Sequence, residues 1–443
     1  MKKIQLSEHF TYSKLIRFTL PSMIMMVFSS IYGVVDGFFV SNFVGKTAFT
    51  AVNFILPVLM ILGSVGFMFG TGGGALIAKT MGEGDDRRAN ELFSLIVYTS
   101  IGCGVVLAGV GFLLLRPLAQ ALGAEGAMLQ DCIIYGSILL PAIPAYVLQY
   151  EFQCLCVTAE KPNLGLAITV ASGLINMVLD ALFVAVLPFG LPGAAAATAL
   201  SQCVGGIFPL IYFARPNGGR LRLGRTRWSS RSLFKACTNG SSELMSNISM
   251  SLVSMLYNAQ LLHYAGEDGI AAYGVLMYVS MIFQALFIGY SVGTAPVVSF
   301  HYGAEHHTEL RGLLRKSASI VSVFAVVMFV GARLLAAPLS HLFVGYDAAL
   351  LAMTNHAFSI FSFCFLFSGY AIFGSSFFTA LNNGLISAAI SFLRTLVFQI
   401  FCVLVFPLFW QVDGIWASLV AAEAMAVCVT LVFLRAKQKN YGY

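Results

Sequence analysis

Gly173-Leu-Ile-Asn176-Met-Val-Leu-Asp180-Ala-Leu-Phe183 lies inside an apolar run from Leu164 to Leu187. About 20 such residues suffice to cross a bilayer as a helix. Asn176 and Asp180 are four apart, so a helix sets them one above the other on a single face. A carboxylate in a spanning helix is costly and faces an interior cavity or ion path. A second isolated acid, Asp36, stands in the equally apolar stretch Ile31-Tyr-Gly-Val-Val-Asp36-Gly-Phe-Phe-Val40. These two acids are candidates for reading a cation gradient and using it to move something else.

The rest of the chain agrees with a membrane setting. It is 58% hydrophobic and 10% charged, with mean hydropathy +0.85, whereas soluble domains carry roughly 25% charged residues. The expected fold is an all-α polytopic membrane protein. Apolar runs punctuated by short polar or Gly/Pro stretches predict about twelve transmembrane helices. They fall near 15–40, 48–77, 90–114, 128–157, 164–187, 193–214, 233–264, 270–299, 313–335, 350–378, 385–409 and 414–434.

A net charge of +6 raises the question of nucleic acid, and the placement of the basic residues answers it. With the N-terminus inside, only Lys46, Arg116 and Arg333 fall outside and Arg394 lies within a span. Every other Lys and Arg falls in cytoplasmic segments. That asymmetry is the positive-inside rule, so both termini are expected in the cytoplasm and no nucleic-acid partner is implied. No cleavable signal is apparent. The nine cysteines mostly lie within spans, and Cys154-Leu-Cys156 is too close for a zinc finger or a redox pair; they read as packing residues.

The chain is a tandem repeat. Gly-Glu-Gly at 82–84 has a counterpart, Gly-Ala-Glu, at 303–305, an offset of 221 residues (303 − 82). The same offset pairs Gly45 with Gly266, Ala51 with Ala272, Gly72 with Gly293 and Leu92 with Leu313. It also pairs Pro117 with Pro338, Thr158 with Thr379 and Gly193 with Gly414. A duplicated six-span unit keeps its orientation, so the two six-helix lobes relate by a pseudo-twofold axis along the membrane normal. The expected domains are an N-terminal six-helix lobe, 1–214, a basic linker, 215–232, and a C-terminal six-helix lobe, 233–443. Two lobes around a cavity suit an alternating-access transporter.

Several local features follow in chain order. Residues 1–13 read as an amphipathic lead-in, with Leu6, Phe10, Lys2 and Lys3 at the membrane interface. Pro21 either kinks the first span or sits in its first turn, where proline is tolerated. Gly70-Thr-Gly-Gly-Gly-Ala75 lacks the Gly-Lys-Ser/Thr ending of a phosphate loop and reads as close helix packing. Glu151 is placed to snorkel toward the cytoplasmic end of span 4. Gly193-Ala-Ala-Ala-Ala-Thr198 presents a small-residue face. The offset maps Asp36 to Tyr257, Asn176 to Val397, Asp180 to Phe401 and Thr198 to Leu419, so the acid-and-amide set belongs to the first lobe alone. Glu243, Arg394 and Glu423 charge the second lobe at other levels; Glu243 and Arg394 either pair, touch substrate or set helix register.

These features together resemble the multidrug and toxic compound extrusion (MATE) family, in its MepA-type bacterial branch. The residues that carry the resemblance are Val34-Val-Asp36-Gly-Phe-Phe-Val40, the Gly-x-Gly-Asp loop at 82–85, Asn176 with Asp180, and the Gly193/Gly414 pair. They occur in order along a 6+6 repeat. The resemblance implies a first-lobe cation site on Asp36, Asn176, Asp180 and Thr198. Some members place a further acidic site on spans 7 and 10; here span 10 has no acid and Glu243 sits near the inner end of span 7.

Two carboxylates, an amide and a hydroxyl are hard oxygen ligands suited to Na⁺. The same pair can instead hold protons, because neighbouring buried carboxylates resist ionising together. The expectation is a cation-coupled antiporter, using H⁺ or Na⁺, that exports amphipathic and often cationic compounds from the bacterial cytoplasmic membrane as a monomer, without a cofactor. Substrate-cavity candidates are Met23, Met26, Tyr32, Glu243, Met245, Met250, Met255, Tyr257 and Arg394, adaptable side chains that can also serve as ordinary core. The alternatives are a lipid-linked precursor flippase, which needs several basic residues in its cavity, and a major-facilitator-type carrier of a specific metabolite. An enzyme is not expected: no histidine appears buried beside a suitable partner, and His306-His307 falls in a loop.

Overall fold

The computed structural model describes residues 4–121, 123–345 and 347–443; the side chains at 34, 37, 38, 41, 42, 46, 47, 49, 50, 54 and 343 stand outside that description. Lys2 and Lys3, and the side chain of Lys46, therefore lie outside the described residues.

The apolar runs are helices. The first lobe comprises α1 (Tyr12–Phe39), α2 (Lys46–Met68), α3 (Gly74–Gly82), α4 (Asp86–Ala121), α5 (Gly126–Leu139), α6 (Ile143–Thr158), α7 (Pro162–Asp180) and α8 (Gly190–Ala214). The second comprises α9 (Ser230–Gly303), α10 (His307–Val344), α11 (Ala348–Phe361), α12 (Phe365–Ala380), α13 (Gly384–Phe392), α14 (Phe398–Val405) and α15 (Pro407–Tyr441). Single turns join pieces of one crossing: a π-turn at Phe69–Gly73 links α2 to α3, and a 3₁₀ turn at Leu140–Ala142, beside Pro141, links α5 to α6. Pro162 and Pro407 open α7 and α15, where a missing N–H costs nothing. Asp347 caps α11, accepting from the Ala349 and Leu350 amides.

Eleven helices among the described residues are long and apolar enough to span a membrane. One of them, α9, has 74 residues and would run about 110 Å if straight, several times the thickness of a bilayer. It breaks at Gly266 (φ 66°, ψ −156°) into two crossings, which gives the twelve expected.

The repeat is written into the backbone. Gly45 and Gly266, at the 221-residue offset, both have positive φ, as do Gly84 and Glu305, and Gly190 and Gln411. Both lobes thus turn at the same places. Glycine takes this conformation freely, while Glu305 and Gln411 hold it at a steric cost.

The buried apolar side chains form one cluster shared by both lobes at the end of the molecule that carries the chain termini, from Leu6 and Phe18 through Phe152 to Phe300 and Tyr443. At the opposite end they divide into two clusters. One draws only on the first lobe, from Val40 to Ala195, and the other only on the second, from Val253 to Leu419. The lobes are joined at the terminal face and part beyond it.

Glycines make the join possible. A Cβ on Gly72 would overlap the Ala236 carbonyl oxygen, and one on Gly240 the Met68 carbonyl oxygen. Gly82 abuts Phe300 in the same way, and Gly303 abuts Lys79. The Gly70–Ala75 stretch therefore serves close helix packing, as its sequence implies.

Three expectations about local environment are corrected. Leu6 and Phe10 are fully buried in the protein rather than interfacial, because the lead-in is strapped down. The Leu6 amide donates to Glu160 Oε1 (2.9 Å), the Phe10 amide to Glu309 Oε1 (3.0 Å), and His9 pairs with Glu309 (2.6 Å). Glu151 does not snorkel: it is fully buried and accepts a hydrogen bond from Ser100, because α4 packs over that face of α6. His301 is buried, edge-on to Phe10, with its Nδ1 3.4 Å from that of His306. His306 and His307 are exposed, as expected of a loop end.

Candidate functional site

The four first-lobe residues come together. α1 brings Asp36, α7 brings Asn176 and Asp180, and α8 brings Thr198. Gly173 lets α1 close on α7: a Cβ there would sit 2.5 Å from Phe28 and 3.1 Å from Tyr32. The single Thr198 hydroxyl proton can go to the Ala194 carbonyl of its own helix (3.1 Å) or to Asp36 Oδ1 (3.4 Å). The Asp36 carboxylate also lies within hydrogen-bonding reach of Asp180 and Asn176.

Asp180 is fully buried, and among the described residues neither of its carboxylate oxygens has a donor; Asn176 Oδ1 is likewise without one. Each such atom costs the loss of its water without compensation. Acceptors facing acceptors leave a place that a proton, a hard cation or a hydrogen-bond donor can fill. The residues present fit either a proton or Na⁺. A π-turn, Ala181–Val186, begins immediately after Asp180 and shifts the helix register at this point, a feature common at functional sites.

Sequence reasoning missed Tyr135. Its ring is buried beside the acids, its hydroxyl reaches toward Thr198, and it makes no well-formed hydrogen bond among the described residues. Nothing in its local pattern marks it, since α5 meets α8 only in the folded lobe. Tyr32 belongs to the same neighbourhood, close to Asp36 and Gln149. Gln149 in turn reaches Ser172 at 3.5 Å.

A separate cavity of about 380 Å³ lies against the second lobe, floored near the terminal join by Gly70, Thr71 and Pro296. Of the cavity candidates, Glu243, Met250, Tyr257 and Arg394 stand on its wall. Met23 and Met26 do not: they are buried in the shared core, where α1 packs on Gly289 of α9. Tyr32, Met245 and Met255 are not on its wall either; Met255 points outward and is 67% exposed.

Arg394 pairs with Glu423 rather than Glu243. Its Nε donates to Glu423 Oε1 (3.0 Å) and Oε2 (2.9 Å), and one terminal nitrogen reaches Gln284 Oε1 at 3.5 Å. A π-turn, Leu393–Val397, holds Arg394. Pro21 lies well inside α1, which runs unbroken through it, so it is not a first-turn proline; its missing N–H leaves the preceding turn without one backbone bond.

Comparison with known proteins agrees with the fold. The MatE family model matches residues 21–182 and again residues 244–405, once in each lobe. The chain is similar to the multidrug export protein MepA of Staphylococcus saprophyticus, at 22% identity over 425 residues, covering 95% of this chain and 93% of that one. It is similar to the MepA of Staphylococcus haemolyticus at 26% over 328 residues, covering 73% and 72%. Among solved structures, a MATE protein in complex with MaL6 superposes with a TM-score of 0.94 at 22% identity, covering 100% of this chain and 99% of that one. The outward-facing conformation of a multidrug resistance MATE family transporter does so at 0.93, with the same identity and coverage. The twofold match replaces the major-facilitator alternative, and the chain belongs to the MatE family.

Proposed function

We propose that the protein is an antiporter that couples entry of H⁺ or Na⁺ at Asp36, Asn176, Asp180 and Thr198 to export of amphipathic, often cationic, organic compounds through the cavity between its lobes. The observation that carries the reading is the pair of Asp180 oxygens, fully buried, facing a second carboxylate and without a donor among the described residues. Filling that site with positive charge removes the repulsion and draws α1 toward α7 and α8. Because α1 also packs on α9, a shift of α1 reaches the join between the lobes. One charge crossing the membrane field supplies about 2.3 kcal/mol per 100 mV, enough to drive export against a modest gradient.

The names of the curated relatives, multidrug export proteins, support the substrate class. The terminal face is assigned to the cytoplasm from the distribution of Lys and Arg, which makes this conformation closed inward and open outward. The protein works as a monomer in the cytoplasmic membrane, with lobes at 1–214 and 233–443 and the basic linker at 215–232 between them.

The test is export of a lipophilic dye cation from proteoliposomes under separately imposed Na⁺ and proton gradients, with Asp36→Asn and Asp180→Asn beside wild type. Export driven by one gradient and abolished in both variants is expected. Export that persists in Asp36→Asn would overturn the coupling site; no export by folded wild type under either gradient would overturn the antiporter.

A further inference from the structure

The linker that joins the lobes is fastened along α4. Asn90, Ser94 and Tyr98 recur every four residues and so form one stripe of that helix. Asn90 accepts from the Arg222 amide (2.8 Å) and donates to the Arg220 carbonyl (3.0 Å). Ser94 accepts from the Gly224 amide (3.0 Å), and the Tyr98 hydroxyl donates to the Gly224 carbonyl (3.1 Å). Thr226 then donates to the Glu91 carbonyl (2.7 Å). Leu221 is buried in the protein and Leu223 partly so. Arg222, Arg225 and Arg227 are left exposed on a backbone that is held in place.

These three guanidinium groups lack a counter-charge. Arg220, just before them, is spent on Asp86 (2.6 Å). Among the described residues no carboxylate lies within ion-pairing distance of Arg222, Arg225 or Arg227. Their level along α4 says what could supply one. Tyr98 heads an exposed stripe of that helix which continues through Val105, Val106, Val110 and Leu113, the apolar face that a spanning helix turns to lipid. The linker thus lies at the rim of a lipid-facing surface, at headgroup level. Trp228, 73% exposed, follows directly, its indole nitrogen bonded to Ser230 (2.9 Å). Exposed tryptophan is typical of the membrane interface. A bias that merely keeps basic residues on one side of the membrane accounts for the number of arginines. It does not require three unpaired ones fixed at one rim.

We propose that this linker is a binding site for an anionic phospholipid in the leaflet at the terminal face. Arg222, Arg225 and Arg227 receive the headgroup phosphate, Trp228 packs at the level of the glycerol, and the acyl chains lie along the α4 stripe that Tyr98 heads. Guanidinium matches phosphate in forked, charge-assisted hydrogen bonds. A zwitterionic headgroup brings its own ammonium up to the same cluster, so a lipid of net negative charge is preferred. The site shares no residue with the second-lobe cavity or with the first-lobe acids. It depends on the membrane setting and stands apart from the coupling reading.

The experiment titrates the full-length protein, delipidated in detergent, with phosphatidylglycerol and with phosphatidylcholine of the same acyl chains. Bound lipid is counted by native mass spectrometry at constant ionic strength. Wild type is expected to bind phosphatidylglycerol at least about tenfold more tightly, since each surface guanidinium contributes about fivefold. Arg222→Gln, Arg225→Gln and Arg227→Gln together are expected to abolish that preference while leaving phosphatidylcholine affinity within about twofold. Arg225→Gln alone is expected to lower it about fivefold, an outcome readable even where the triple variant fails to fold. The control removes the same charge elsewhere on the terminal face, through Arg311→Gln, Arg315→Gln and Arg435→Gln, all exposed, and is expected to keep the preference. Excess inorganic phosphate at matched ionic strength is expected to leave the lipid bound, because the chains hold it as well. Equal affinity of wild type for the two lipids, an equal loss in the control variant, or displacement by inorganic phosphate would overturn the proposal. No gradient enters this measurement, so export that fails while the lipid preference stands would count against the antiporter alone.

Discussion

Gly82 and Gly303 occupy the same place in the two lobes, and each is pressed against the other lobe's helix, Gly82 on the Phe300 carbonyl and Gly303 on that of Lys79. The contact is reciprocal across the pseudo-twofold axis, and it closes the terminal face by backbone-to-backbone approach. No side chain is there to yield.

Gly82→Ala or Gly303→Ala is therefore expected to part the lobes at this face. Paired spin labels on either side of the join would report a wider or broader distance distribution, and export would fall about tenfold or more. Gly102→Ala, where nothing lies within 4 Å, is the control and should leave both unchanged. An unaltered distance in the Gly82 variant would remove the join from the closing mechanism.

Glu423→Gln on its own leaves Arg394 buried without its counter-charge, and breaking such a pair from one side typically costs about 3–5 kcal/mol. The apparent melting temperature in detergent should drop clearly. It should recover in large part when Arg394→Gln is added, since the double change leaves neither member of the pair as a lone charge. A double variant as unstable as the single one would mean the pair matters by packing rather than charge.

Tyr135→Phe deletes a hydroxyl that reaches toward Thr198 without a well-formed hydrogen bond among the described residues, so stability should change little. If that hydroxyl contributes a ligand when the site fills, the concentration of coupling ion giving half-maximal export should rise about tenfold, the worth of a hydrogen bond to a charge. A matching loss of melting temperature, or no shift in ion dependence, would assign Tyr135 to packing.

The lead-in segment offers a fourth test. Glu309 holds both the Phe10 amide and His9, so Glu309→Ala should release residues 5–10. Hydrogen exchange there should quicken about tenfold or more, with α10 beyond its first turn unaffected. Unchanged exchange would show that burial of Leu6 and Phe10 suffices without the carboxylate.

Much of this was legible in the chain. Spanning helices announce themselves because a bilayer demands long apolar runs with internally satisfied backbones. The duplication was equally plain, since Gly45 and Gly266 are constrained by the same turn. Asp36, Asn176 and Asp180 stood out because an acid or amide in such a run has no cheap explanation. Tyr135, Gln284 and the partner of Arg394 did not, because their meaning lies in which helix faces which.

By itself, then, the sequence determined the membrane setting, the twelve crossings, the repeat and the first-lobe acids. Each follows from local composition or from comparing the chain with itself. Only the tertiary structure decided that Leu6 and Glu151 are buried, that Arg394 belongs to Glu423, and that Met23 and Met26 are core rather than cavity. The same is true of the join at the terminal face and the separation beyond it. A side chain's cost and partners are set by neighbours hundreds of residues away, and helix period alone carries no record of them.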